Sequence, residues 1–124
     1  MEVRRLCWLG TQAEDAERVV SFFRDVLGLR LVHQDPSFAM LQLPSGEHDY
    51  LEVFAAGSRP SPMSCPAVGF LVDDVEEARR ELIESGVELI GEITEAPQVA
   101  GYRWQNFRAP DHHIYCVIEI PTSR

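Results

Sequence analysis

The sequence predicts an α+β fold built from two βαβββ modules, because one pattern occurs twice along its 124 residues. Residues 8–32 read WLGTQAEDAERVVSFFRDVLGLRLV, and residues 67–90 read AVGFLVDDVEEARRELIESGVELI. Each copy holds an apolar run, an acidic pair, a stretch with helical spacing, a glycine and a second apolar run. The matching positions are Asp15 with Asp74, Glu17 with Glu76, and Gly28 with Gly86. Repetition of this kind indicates a duplicated module; the alternative is an ordinary α+β domain whose halves are similar by coincidence.

The first module, residues 1–56, is predicted to hold four strands and one helix. Asp15 or a neighbour begins the helix as its N-cap, and Gly28 ends it in the left-handed conformation. Six apolar side chains recur between them with helical spacing and are expected to face the sheet. They are Val19, Val20, Phe22, Phe23, Val26 and Leu27. The strands are predicted at residues 4–12, 29–33, 37–43 and 49–55.

The second module, residues 67–124, repeats this order after a linker at residues 57–66 that contains three prolines. Asp73 or Asp74 begins its helix and Gly86 ends it. The side chains expected to face the sheet are Val75, Ala78, Leu82 and Ile83. The strands are predicted at residues 67–72, 87–93, 101–108 and 113–120. Residues 1–124 together are expected to form a single domain, as this chain length favours.

Composition limits the possible partners and the compartment. The net charge of −9 argues against nucleic acid and anionic membranes, because no basic cluster is present to neutralise phosphates. No apolar run approaches the ~20 residues of a membrane helix, and the first residues lack the apolar centre of a signal peptide. Cys7, Cys65 and Cys116 have no CxxC spacing and are expected to be reduced thiols. We therefore expect a cytoplasmic protein.

The first predicted helix carries a resemblance to a known family. The run DAERVVSFFRDVLGL at residues 15–29 resembles the first helix of the vicinal oxygen chelate superfamily, and the resemblance extends over nearly the whole chain. This superfamily includes glyoxalase I, bleomycin-resistance proteins, extradiol dioxygenases and fosfomycin-resistance enzymes. The resemblance implies that the two modules form a cup-shaped mixed sheet around a ligand cavity, with the helices on the convex side. It also implies a homodimer.

The resemblance further implies where metal-dependent members would hold a divalent ion, at four inward-facing strand positions. Counted from the matching motifs, these positions are Trp8, Glu52, Ala67 and Cys116. An indole nitrogen only donates hydrogen bonds, and alanine has no ligating atom. One carboxylate and one thiol make a poor site for the ions that this family uses. We therefore expect no metal and no other cofactor; a divalent metal ion is the alternative.

The fourth of these positions follows a turn that departs from the family pattern. The resemblance implies an Asp-Pro-Asp-Gly turn, whereas residues 109–112 read APDH. The register at Cys116 is therefore open to a shift. Glu119 lies three residues further on and is expected on the opposite face of the strand, because side chains alternate.

Glu52 is the most informative polar residue for function, because it lies within an otherwise apolar predicted strand. It is a candidate general base, or an acceptor for a cationic or hydroxyl-bearing ligand. The alternative is a structural role in which it pairs with Arg103, Arg108 or a backbone amide. Trp8 is interpreted either as a stacking surface for an aromatic ligand or as a plug in the space of the missing metal.

Further candidates lie on the predicted strands. Tyr102, Trp104 and Asn106 alternate along one strand and are expected to share a face, and Met40 is expected to point inward. Aromatic side chains with a few polar groups are typical of a small-molecule cavity, and also of an ordinary core. The candidate ligand-binding residues are Trp8, Met40, Glu52, Tyr102, Trp104, Asn106 and Cys116. A metal site using Glu52 with one of the histidines remains an alternative; these are His48, His112 and His113.

These observations favour a small-molecule-binding protein of the glyoxalase and bleomycin-resistance type that lacks the family metal centre. The alternative is an enzyme of the same superfamily, a dioxygenase, lyase or isomerase that depends on a metal or on Glu52. A third possibility is a non-catalytic subunit. The expected partners are a small organic molecule and a second copy of the chain.

Overall fold

The computed structural model describes residues 1–58 and 66–122, and the chain divides into two compact units. The N-terminal unit is Cys7–Ala67. The C-terminal unit combines Met1–Leu6 with the chain from Val68 onward. Most of the predicted linker, and the predicted free thiol at Cys65, lie outside the described residues.

The N-terminal unit is a four-stranded mixed sheet with one helix. Its strands are β1 (Leu6–Ala13), β2 (Arg30–Gln34), β3 (Phe38–Gln42) and β4 (Tyr50–Ala55). Their spatial order is β2-β3-β4-β1, with β1 parallel to β4 and the other neighbours antiparallel. Helix α1 (Ala16–Ser21) continues into a π-helical turn at Phe22–Val26.

The C-terminal unit repeats this arrangement. Its elements are β5 (Ala67–Leu71), α2 (Val75–Glu84), β6 (Glu88–Glu95), β7 (Arg103–Arg108) and β8 (Ile114–Glu119). The spatial order is β5-β8-β7-β6, with β5 parallel to β8. The α+β class with two βαβββ modules is confirmed, and every strand end lies within two residues of its predicted place. No helix in the described ranges is long and apolar enough to cross a membrane.

Both predicted helix caps are confirmed. Asp15 Oδ1 accepts a hydrogen bond from the Arg18 amide at 3.1 Å, and Asp74 Oδ1 accepts from two first-turn amides at 3.0 and 3.1 Å. These bonds satisfy amides that have no partner inside the helix. Gly28 and Gly86 have φ of 73° and 76°, which a residue with a Cβ adopts at a cost. The helix ends are therefore set by local sequence.

Glu119 adds a long-range cap to α2. Its Oε1 accepts from the Val75 amide at 3.0 Å, and its Oε2 lies 3.7 Å from Nη1 of Arg103. A carboxylate at this end of a helix also faces the positive end of the helix dipole. The prediction that Glu119 and Cys116 point to opposite faces is confirmed, because Glu119 turns toward the helix.

One face of each sheet packs on its own helix. In the N-terminal unit, Val20 of α1 meets a row of apolar strand residues, which are Ala39, Leu41, Leu51 and Val53. In the C-terminal unit, three side chains of α2 meet Val117, and these are Val75, Ala78 and Leu82. Val19 and Phe23 pack at the edge of the first cluster. Each module therefore has its own small hydrophobic core.

The predicted sheet-facing side of each helix was partly wrong. Phe22, Val26 and Leu27 are 49%, 68% and 56% exposed, and Ile83 is 53% exposed. The α-helix ends at Ser21 and widens into the π-helical turn, so the 3.6-residue spacing no longer holds beyond that point. In α2 the buried face is narrower than the pattern suggested, and Ile83 lies outside it.

The turn at residues 109–112 keeps the backbone of a glycine-containing turn without the glycine. The His112 amide donates to the Ala109 carbonyl at 2.8 Å, and His112 has φ of 70°. Within the described residues it is the one non-glycine residue with positive φ. The Tyr115 hydroxyl and the His113 amide donate to Asp111 and hold the pKa of its carboxyl below the ordinary value. The turn is therefore fixed by its neighbours, while His112 is strained.

We expect His112→Gly to raise the free energy of unfolding by about 1 kcal/mol, because glycine removes the Cβ penalty of the left-handed region. Urea denaturation monitored by circular dichroism measures the change. His113→Gly is the matched control: it replaces an exposed histidine outside this region and should lower stability. Destabilisation of similar size by both substitutions would contradict the assignment of strain to His112.

Candidate functional site

Each sheet has a second face that its own helix does not cover. On β4, Leu51 and Val53 belong to the helix-side cluster, so Tyr50, Glu52 and Phe54 point the other way. We call this second side of the N-terminal sheet the helix-free face. The strand register places further residues on the helix-free face. They are Trp8, Gly10 and Gln12 on β1, His33 on β2, and Phe38, Met40 and Gln42 on β3.

The Trp8 indole lies over the backbone of Gly10. A Cβ placed on Gly10 would be 2.2 Å from Cη2 and 2.4 Å from Cζ2 of the indole, so only glycine fits beneath the ring. Gly10 is the Cα partner of Glu52. The ring therefore lies beside the strand position of Glu52. A glycine inside a strand often marks a close approach of this kind, and this signal was present in the sequence.

Glu52 is half-buried between two neighbours in register. Its Cα partners are Gly10 on β1 and Met40 on β3, and Met40 is 3% exposed. The structure thus brings together Trp8, Met40 and Glu52 from the predicted set. Arg103 and Arg108, the alternative partners considered for Glu52, lie 3.7 Å from Glu119 and 3.5 Å from Glu88 respectively, within the C-terminal unit.

Tyr50 adds a buried hydroxyl to the helix-free face. It is 5% exposed, and its Oη lies 3.1 Å from Nδ1 of His48. Burial raises the pKa of the Tyr50 hydroxyl, and the negative charges of Glu47, Glu52 and Asp49 raise it further. Tyr50 therefore stays protonated at neutral pH. Tyr50 was not among the predicted site residues. Its position two residues before Glu52 places it on the same face of the strand.

The C-terminal unit groups the four other predicted residues. Asn106 and Cys116 are Cα partners on β7 and β8, and Trp104 lies on the same face as Asn106. Tyr102 precedes β7, a correction to the predicted strand, and its ring centroid lies 6.2 Å from that of Trp104. Cys116 is a buried thiol that forms no disulfide, 4% exposed.

The four metal-ligand positions do not fit a divalent ion. Trp8 presents ring carbons and a donor-only nitrogen, and Ala67 presents a methyl group. Glu52 and Cys116 are the two remaining donors. Across residues 1–58 and 66–122, no group of three or more His, Cys, Asp or Glu side chains is placed to hold a metal. Two of the histidines considered as partners of Glu52 are located as follows. His48 contacts the Tyr50 hydroxyl, and His112 lies in the strained turn.

A cleft of about 240 Å³ lies in the C-terminal unit, away from all of these residues. Its acidic lining includes Asp73, Asp74, Glu77 and Glu81. Two of these carboxylates are ion-paired: Arg4 Nη2 lies 2.6 Å from Asp73 Oδ2, and the Met1 amine contacts Glu81. The Glu81 contact raises the pKa of that amine.

Solved structures similar to this chain share its fold. Methylmalonyl-CoA epimerase from Mycobacterium tuberculosis is 21% identical with a TM-score of 0.75, over 97% of this chain and 90% of that one. The Mn(II)-bound glyoxalase from Novosphingobium aromaticivorans is 18% identical with a TM-score of 0.76, over 94% of this chain but 39% of its own length. A variant of homoprotocatechuate 2,3-dioxygenase from Brevibacterium fuscum is 20% identical with a TM-score of 0.76, over 98% and 33%.

Sequence comparison identifies the family. No curated protein sequence matches the chain. The model of the Glyoxalase/Bleomycin resistance protein/Dioxygenase superfamily matches residues 5–117, which is most of the chain. The chain therefore belongs to the Glyoxalase/Bleomycin resistance protein/Dioxygenase superfamily.

Proposed function

We propose that this protein binds a small organic molecule on the helix-free face of its N-terminal unit, without the metal ion that many relatives use. One observation carries the proposal: the Trp8 indole is laid over Gly10, next to the strand position of Glu52. A flat aromatic surface beside a single carboxylate suits an organic ligand with an apolar body and one donor group. The same carbon surface is unsuited to a metal.

Other aromatic side chains extend this surface. Phe38 and Phe54 are stacked with centroids 5.7 Å apart and planes inclined by 18°, and both are half-buried. Met40 is buried on the same face, and its unbranched thioether adapts to irregular shapes. Tyr102, Trp104, Asn106 and Cys116 stay predicted ligand contacts on the C-terminal unit's own sheet.

Native mass spectrometry of protein purified without chelator or affinity metal tests this proposal. We expect a dimer that carries no divalent ion and that retains an organic adduct, or is free to take one up. Denaturation in the same instrument then releases the adduct for mass determination. One divalent ion bound per chain would contradict the metal-free proposal and would favour a metalloenzyme.

Gly10→Ala tests whether the position of the Trp8 ring matters for binding. The added Cβ would meet the far edge of the indole, so the ring should rotate away while the strand persists. In a Trp104→Phe background Trp8 is the sole tryptophan of the chain, and its fluorescence maximum should shift. Adduct affinity should fall about tenfold. Gly57→Ala is a control for a glycine-to-alanine change: its φ of 79° makes the change destabilising, but no atom lies within 4 Å of the added Cβ, so the fluorescence should stay unchanged.

An isomerase or lyase that uses Glu52 as general base is the second candidate function. It is favoured by the half-buried carboxylate beside an indole, a setting in which a carboxylate is poised to accept a proton from a bound carbon acid. The similarity to methylmalonyl-CoA epimerase, over 90% of that chain, is consistent with this class. A metal-dependent dioxygenase is less well supported, because the donor set is incomplete.

Glu52→Gln distinguishes the two functions. The retained ligand is incubated with the protein in D2O, and incorporation of deuterium at carbon is followed by mass spectrometry. A general base should catalyse exchange, and Glu52→Gln should slow it at least 100-fold. A binding protein should show no exchange, and the substitution should weaken affinity about tenfold. Glu14→Gln, at an exposed glutamate with the same change in charge, should affect neither measurement.

A further inference from the structure

One row of residues crosses all four strands of the N-terminal sheet on its helix-free face. His33 on β2 is the Cα partner of Met40, Met40 is that of Glu52, and Glu52 is that of Gly10. An imidazole and a carboxylate thus stand two strands apart. With strands spaced by about 4.8 Å, their Cα atoms are separated by about 10 Å.

The imidazole at one end of this row is held in a fixed orientation. His33 Nε2 lies 2.7 Å from Asp35 Oδ2, and the other oxygen of Asp35 accepts from Ser37 Oγ at 2.6 Å and the Ser37 amide at 2.8 Å. The hydrogen bonds from Ser37 and His33 hold the pKa of the Asp35 carboxyl well below its usual range. A carboxylate that stays ionised fixes Nε2 as the nitrogen that donates to it.

The second ring nitrogen of His33, Nδ1, lies on the opposite side of the ring from the bond to Asp35. Nδ1 has no hydrogen-bond partner among the residues that the structure describes, and the side chain is 31% exposed. A β-bulge between Leu31 and His33 shifts the register of β2 at this point. Bulges commonly re-aim a side chain beside a binding site. When the imidazole is protonated, Nδ1–H donates to a carboxylate or carbonyl of a ligand.

An aromatic surface lies beside this row, because Phe38 and Phe54 are Cα partners two residues along β3 and β4 from Met40 and Glu52. The Phe38 ring centroid lies 5.1 Å from that of His33, and Phe38 in turn stacks on Phe54. Met40, the residue of the row between His33 and Glu52, is 3% exposed, so the accessible apolar surface comes from the two half-buried phenylalanines. A flat ring packs well on such a pair.

We infer that the ligand of this face is an aromatic molecule with an anionic or carbonyl group at one end and an ammonium or hydroxyl donor at the other. The acceptor group meets His33, the donor group meets Glu52, and the ring lies on Phe38 and Phe54. This inference rests on the proposed binding function and adds to it the chemical class of the ligand. Asp35 acts as a positioning residue for His33.

Three matched probes test the inference by isothermal titration calorimetry in mildly acidic buffer. Para-aminomethylbenzoate carries both end groups, benzoate carries only the acceptor, and benzylamine carries only the donor. We expect the first probe to bind at least tenfold more tightly than either of the others. His33→Gln should abolish its advantage over benzylamine, and Glu52→Gln should abolish its advantage over benzoate.

The controls separate failure of this inference from failure of the proposed function. His113→Gln, at an exposed histidine of the C-terminal unit, should leave all three affinities unchanged. Equal affinities for the three probes, or an advantage that survives His33→Gln, would overturn the two-ended ligand while leaving a binding function standing. No binding of any probe would also overturn it, and the mass of the retained adduct would then decide the binding function separately.

Discussion

The two-residue period of a β-strand is the constraint on which the rest of this structure depends. On β4 it sends Leu51 and Val53 into the cluster around Val20 and sends Glu52 to the opposite face. A slip of one residue would place the Glu52 carboxylate in that apolar cluster, where an unpaired charge is strongly disfavoured. The hydrophobic core therefore fixes the register, and the register in turn decides which side chains are available to a ligand.

Most of the fold could be predicted because its determinants are local. Asp74 and Gly86 begin and end α2 through hydrogen bonds and backbone angles that involve a few neighbouring residues. The exposure of Phe22 and Val26 could not be predicted, because the change from α-helical to π-helical spacing leaves no distinct trace in the apolar pattern. The strands could therefore be predicted from the sequence, whereas the change from α-helical to π-helical backbone after Ser21 could not.

The candidate site likewise has some features that could be predicted from the sequence and others that could not. Trp104 and Asn106 share a face, as alternation along one strand predicts. The alignment of His33 with Glu52 depends on pairing between three strands and on a bulge that interrupts alternation on β2. Neither pairing nor bulge can be read from the residues alone. Gly10 is an intermediate case. A glycine inside a strand indicates that another group comes close to the backbone, but the sequence does not show that this group is the Trp8 ring.

The two modules share a structural irregularity, a shift of strand register, but its surroundings differ between them. Each has a shift of register in the strand that follows its helix. In the second module the fully buried Gln105 braces that shift, because its Nε2 donates to the carbonyls of Gly91 and Asn106, at 2.9 Å each. In the first module the shifted strand presents His33. A buried amide therefore holds the register shift of one copy, and the register shift of the other copy determines which face His33 occupies.

These shifts fall on β2 and β6, the outermost strands of their sheets, and they affect how the molecule behaves in a crowded solution. A straight outer strand is a template on which another chain can add, and an irregular one is not. On β6 the exposed side chains of Glu88, Glu92 and Glu95 would also repel their counterparts on a second molecule. The irregular outer strands therefore disfavour edge-to-edge pairing of two molecules.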